Sequence, residues 1–189
     1  VIDNFSYVKN FEKSVLDHLK ELLPDYLIDL RARDGSTIED VARFQDINLD
    51  RRTPKVLSAG GNDLLKNLHY ITNEDKKTYN QSIQSFKPIL EKFYISYNSL
   101  LNKLEYPALC CTIYNPAFQY FNDFENLYSY QKSCEITLNI FNDIIQRQVK
   151  KKGFDLLELR DLIIEKSDYA NSVEPSHIDG KKIAEAIVQ

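Results

Sequence analysis

The chain contains no methionine, three cysteines, three histidines and five glycines, and each scarcity narrows what the protein does. Three cysteines make no disulfide framework, and their spacing matches no zinc site. Cys110 and Cys111 are neighbours on a β-type run, so they point to opposite faces of a sheet. Cysteine used this way fits a reducing compartment, with the cytoplasm as the default. No apolar run approaches the roughly 18 residues of a membrane span. What lies ahead of Val1, a signal peptide included, is left open. G-x-G-x-x-G and the P-loop pattern are both missing, which argues against a nucleotide-binding Rossmann or flavodoxin-like module. A basic face is missing as well. The net charge is −4 at pH 7 and the isoelectric point is near 5.5, opposite in sign to a nucleic-acid footprint. The one basic run, Lys150-Lys151-Lys152, falls at a predicted helix C-terminus, where cations complement the helix dipole.

What is present is enough for one core. A chain of 189 residues with 43% hydrophobic content supports a single domain over residues 1–189. Val8, Phe11, Val15, Leu19 and Leu22 recur at helical spacing until Pro24 stops them. Tyr26, Ile28, Leu30 and Ala32 alternate as a strand does. Ser36 or Thr37 caps a helix bearing Ile38, Val41 and Phe44. A strand follows Pro54, then a short helical piece with Leu64, Leu65 and Leu68 running to His69. Thr72 or Asn73 starts a long helix from Tyr79 to Leu104, which Pro88 should kink. The run 107–113 is apolar and β-type. The loop after it is rich in aromatics, Phe118 to Tyr130, which either cover the core or line an apolar substrate groove. Ile136 to Val149 is helical and Gly153 closes it. Phe154 to Leu159 is a fourth strand, and a final helix carries Ile183, Ala184 and Ile187.

Strands alternating with helices predict an α/β fold, a three-layer α/β/α sandwich around a parallel, flavodoxin-like sheet. A doubly wound sheet normally opens on a central strand whose carboxyl end carries a functional loop. This chain opens on a helix, so a short apolar strand is expected just before Val1.

The glycines mark where function should sit. Gly35, Gly60 and Gly61 each fall just past a predicted strand, at the end of a parallel sheet where α/β folds bind ligands. Lys55-Val56-Leu57-Ser58-Ala59 leads into Gly60-Gly61-Asn62-Asp63. With Arg33-Asp34-Gly35-Ser36-Thr37 after the preceding strand, and Val1-Ile2-Asp3-Asn4 at the start, this order of blocks resembles the SGNH, or GDSL-type, hydrolase family. That family carries Gly-Asp-Ser after its first strand, a glycine after the second, Gly-x-Asn-Asp after the third and Asp-x-x-His before the last helix. The third block is matched in full. Val1-Ile2-Asp3-Asn4 reads like the residues that follow Gly-Asp-Ser, so the resemblance puts the nucleophilic serine immediately before Val1. Ser36 and Ser58 lack that context.

The resemblance implies a serine esterase or acylhydrolase acting on a small-molecule ester or acylated substrate, with no metal and no organic cofactor. It maps oxyanion donors onto the Gly35 amide and the Asn62 side chain, with Gly61, Asp63, Asp3 and Asn4 in support. Asp-x-x-His is not matched. Alignment on the last helix puts Asn171 and Glu174 in its place, similar to a divergent bacterial branch reading Asn-x-x-Glu-Pro-Ser. Alignment on spacing instead pairs Glu174 with His177, one as orienter and the other as base. An imidazole is suited to neutral pH, whereas a glutamate must first be raised by burial. His18 and His69 read as ordinary, one on an amphipathic helix and one at a helix end. The alternative to an enzyme is a binding or regulatory scaffold that has lost turnover, and nothing in the sequence sets the oligomeric state.

Overall fold

The computed structural model describes residues 4–44, 53–68, 70 and 79–189. Its first helix, α1 (Val15–Leu22), starts where a capping box forces it to. Ser14 Oγ accepts the Asp17 amide at 3.2 Å, and the Asp17 carboxylate accepts the Ser14 amide at 2.9 Å, which satisfies two amides that a helix start would leave bare. Val8 and Phe11, expected on the same helix, lie before it. Phe11 has φ 73°, outside helical space, so the periodicity continues in sequence but not in structure. The next helix, α2 (Ile38–Phe44), has the same kind of start. Thr37, not Ser36, exchanges bonds with Asp40 at 2.9 and 3.3 Å.

Three strands form a parallel sheet in the order β1 (Lys55–Leu57), β2 (Ala108–Cys111), β3 (Asp155–Leu157). Short helix α3 (Gly61–Leu65) follows β1 and begins at the glycine itself. The long helix α4 (Tyr79–Leu101) runs on through Pro88, and its expected start at Thr72 or Asn73, like His69, lies outside the described residues. After β2 come the four-residue α5 (Phe118–Phe121) and α6 (Leu127–Lys152). Gly153 closes α6 in the left-handed region, its amide on Lys150 O at 3.1 Å. The last helix is α7 (His177–Ile187), capped by Ser176.

Cys110 and Cys111 show how the layers form. Cys110 packs with Phe93, Tyr97 and Phe141 against α2, α4 and α6, while Cys111 packs with Val15, Leu159 and Ile183 against α1 and α7. Adjacent residues of one strand thus enter two separate cores, which is the α/β/α sandwich expected. All three cysteines are buried free thiols. Burying side chains such as Phe141 and Ile145 stabilises the fold by about 1.5–3 kcal/mol each.

The strand expected over Tyr26 to Ala32 is not one. Residues 27–33 run without ladder bonds to any described strand, and Leu27 is fully exposed at 100%. Alternation makes a segment compatible with a sheet, but a strand exists only where another supplies its hydrogen bonds. Of the four strands expected, the described residues thus contain three. A cleft of about 960 Å³ is lined by residues 26–33, by Val15 and Leu19, by Lys55, Val56 and Leu57 of β1, and by Gly60, Asn62 and Glu174.

Gly60 sets the turn out of β1. Its φ is 116°, and an added Cβ would lie 3.0 Å from two ring atoms of Phe93 and 3.2 Å from Ile113 Cδ1. Backbone strain and overpacking therefore act together. Gly60→Ala is expected to lower stability by about 2–4 kcal/mol in urea unfolding, and an unchanged midpoint would contradict this geometry.

Candidate active site

The carboxyl end of the sheet brings three loops together. The first two are stapled by side chains of the Gly-Gly-Asn-Asp block. Asn62 Nδ2 donates to Ser36 O at 3.1 Å, and the Asp63 carboxylate accepts the Ile38 amide at 3.0 Å. Burial raises the Asp63 pKa, with the Ile38 amide opposing the rise. One hydrogen of the Asn62 amide is thereby fixed, which aims the other, and Gly35 sits in the stapled loop with φ 73°. Ser36, Gly60, Gly61, Asn62 and Glu174 line the same cleft.

The third loop precedes α7. Asn171 Oδ1 accepts the amides of Val173 at 2.9 Å and Glu174 at 3.1 Å, so it shapes the turn that presents Glu174 and bonds to its backbone. The Glu174 amide is thus held, whereas Oε2 of its carboxylate is buried with no hydrogen-bond partner among the described residues. Burial pushes this carboxyl up to about 7, the negative charge of Asp34 adding to the effect. A buried acceptor left open is costly by about 1–3 kcal/mol, and active sites are where such costs are retained.

His177 goes elsewhere. It is the first residue of α7, does not line the cleft, and its Nε2 lies 3.4 Å from Glu12 Oε1 on the outer surface. Ser176 caps the helix, its Oγ accepting the Ile178 amide at 3.1 Å. The structure therefore brings together Glu174, Asn62, Gly61 and the loop of Gly35, and leaves His177 outside.

Asn4 is fully buried and works as a clamp. Its Nδ2 donates to Ser176 O at 2.8 Å and its Oδ1 accepts the Val15 amide at 2.9 Å, tying the chain's opening to the loop that carries Glu174. Asp3 lies outside the described residues.

Residues not singled out from sequence complete the site. Tyr7 donates to Asp34 Oδ2 at 2.7 Å, fixing the charge that acts on Glu174. Tyr114 donates to Val173 O at 2.7 Å, and Asn142 clamps the end of β2 through the Ile113 amide at 2.8 Å and carbonyl at 2.7 Å. Only the adjacency of Asp34 to Gly35 offered a signal in sequence. No group of acidic, histidine or cysteine side chains among the described residues is arranged to hold a metal ion, and none of their helices is long and apolar enough to cross a membrane.

No protein-family model and no curated protein sequence matches the chain. Solved structures do. The acetyl xylan esterase AlAXEase superposes with a TM-score of 0.66 at 16% identity, covering 98% of this chain and 93% of the other. The fold is shared. The acetyl xylan esterase Axe2-W215I from Geobacillus stearothermophilus gives 0.59 at 14% identity over 92% and 77%. Phospholipase A1 from Streptomyces albidoflavus NA297 gives 0.55 at 14% over 85% and 78%. At these identities the likeness carries the architecture alone, an α/β sandwich with its parallel sheet.

Proposed function

We propose that the protein is a serine esterase or acylhydrolase of SGNH type, with Glu174 as the base. The observation that carries this reading is the Glu174 carboxyl, whose Oε2 is buried with no hydrogen-bond partner among the described residues, on the cleft that Asn62 also lines. Esterases and lipases among the solved structures of the same fold support ester hydrolysis as the reaction class. The nucleophile is a serine immediately before Val1, at the end of a short apolar strand. That assignment is supported by the apolar walls of the cleft and by the position of Asn4 beside Pro175 and Ser176.

In this reading the serine oxygen attacks the ester carbonyl as Glu174 takes the hydroxyl proton. The Asn62 amide and the Gly35 N–H donate to the oxyanion. Collapse of the tetrahedral intermediate expels the alcohol, which leaves with the proton from Glu174. Water then attacks the acyl-enzyme as Glu174 takes its proton, and collapse of the second tetrahedral intermediate expels the serine oxygen, which receives that proton from Glu174 as the carboxylic acid departs. No metal or organic cofactor takes part.

The test is the intact mass of the full-length protein before and after a fluorophosphonate serine probe. One adduct on the residue before Val1 is expected. A folded protein that carries that serine and gains no adduct would be a catalytically inert scaffold.

A further inference from the structure

The aromatic loop after β2 neither covers the core nor hangs free. Phe118 lines the cleft with Glu174 and Tyr114. Its ring meets Tyr130 edge-on at 5.0 Å, and Tyr130 meets Phe124 at 5.4 Å. Moving outward, the rings open to solvent, Phe121 at 39% and Phe124 at 44% exposed. Large apolar rings left open in one short loop beside a cleft mark a binding surface more than a fold requirement.

This shelf is fixed to the loop that carries Glu174. The Ala117 amide donates to Ser172 O at 2.7 Å, Ser172 Oγ bonds Asn122 Oδ1 at 2.8 Å, and Tyr169 donates to Asn115 O at 2.8 Å. From the other side, buried Gln131 holds Pro116 O at 2.6 Å. Phe118 and Glu174 therefore keep one relative position, as a substrate-binding wall must.

We propose that the shelf of Phe118, Phe121, Phe124 and Tyr130 binds the apolar acyl chain of a neutral ester whose carbonyl lies in the cleft with Glu174. The proposal rests on the esterase reading and names its substrate class. Two observations select this occupant. The rings interlock at 72° and 86°, so they form a folded apolar pad that a flexible chain can follow, where a sugar ring needs an open flat face. Asp123 and Glu125, both exposed, flank Phe124 in the same loop, and their charge disfavours an acyl chain that itself carries an anionic group.

The experiment compares p-nitrophenyl acetate, butyrate and octanoate in the full-length protein. The value of kcat/KM is expected to rise at least 10-fold from acetate to octanoate, since each added methylene can contribute several-fold on burial. In the Phe121→Ser, Phe124→Ala double variant the octanoate-to-acetate ratio is expected to fall about 10-fold. These rings are already part-exposed, so their loss spares the cores, and circular dichroism checks the fold. A wild-type preference for acetate, or a ratio unmoved in the folded double variant, overturns the proposal while leaving the esterase reading intact. If the protein takes no fluorophosphonate and cleaves none of the esters, the esterase reading fails. Calorimetry with a non-hydrolysable octanoyl amide then decides the shelf by itself. Saturable binding weakened about 10-fold in the double variant upholds it, and absence of binding overturns it.

Discussion

Glu174→Gln is expected to lower kcat of the full-length protein by about 10²–10⁴-fold, the range typical for loss of a general base. Glutamine keeps the shape and the backbone bonds to Asn171 Oδ1, so the loss would be chemical. The pH profile follows from the raised carboxyl. A base must be deprotonated, and burial holds Glu174 up to about 7, so kcat/KM of the parent is expected to rise with pH and level off above about 7. The stability sign runs the other way. A carboxyl whose folded value is raised opposes folding once ionised, so that cost is absent below the unfolded value and complete above about 7. Glu174→Gln should therefore melt no lower than the parent at pH 8 while being inactive, which separates loss of a base from loss of the fold. His177→Ala is expected to change kcat less than about threefold, since its ring pairs with Glu12 outside the cleft. A His177→Ala variant as dead as Glu174→Gln would move the base to the imidazole.

A second large effect concerns stability alone. Asp179 is fully buried in the first turn of α7, and neither of its carboxylate oxygens has a hydrogen-bond partner among the described residues. Its spacing from Ser176 suits a capping box, but the Ser176 amide is taken by Asp168 O at 2.7 Å. Burial pushes the Asp179 carboxyl up to about 7, with the negative charge of Asp168 adding and Lys182 opposing. Asp168 itself is paired, to Lys182 Nζ at 2.6 Å and to the amides of Ile164 and Glu165.

Linkage fixes the direction. Ionised Asp179 opposes folding by at most about 4 kcal/mol above pH 7, a cost that shrinks as pH falls toward 4. Asp179→Asn removes the charge but leaves a buried amide, which offsets part of the gain. A net stabilisation of about 1–3 kcal/mol at pH 8 is expected, seen as a melting temperature higher by roughly 2–10 °C. The difference should narrow by pH 4.5. An equal difference at both pH values, or a less stable variant, would mean that the carboxylate is paired after all.

Much of the frame was legible because it follows from local chemistry. Apolar runs at helical spacing, Pro54 and Gly153 mark elements wherever the chain goes, since hydrogen bonds within a turn of helix do not depend on distant residues. Two local readings failed where that independence ends. Val8 and Phe11 have the spacing of α1 but precede its capping box, and residues 26–32 have the alternation of a strand but no described partner along them. The aromatic loop had two readings in sequence, and tertiary bonds from Ser172 and Gln131 hold it as a shelf with its outer rings in solvent.

The sequence by itself determined the α/β layering and placed Gly60-Gly61-Asn62-Asp63 at the carboxyl end of a strand, because periodicity and turn chemistry are written in neighbouring residues. Tertiary structure decided which acidic or basic side chain meets that end. Glu174 lies in the loop before α7 and His177 is its first helical residue, so the Ser176 cap and the packing of α7 on α1 turn one toward the cleft and the other toward Glu12. The burial that lifts Glu174, and that leaves Asp179 with no hydrogen-bond partner among the described residues, comes from residues far away in the chain. Desolvation belongs to the assembled core, and no short stretch of sequence contains it.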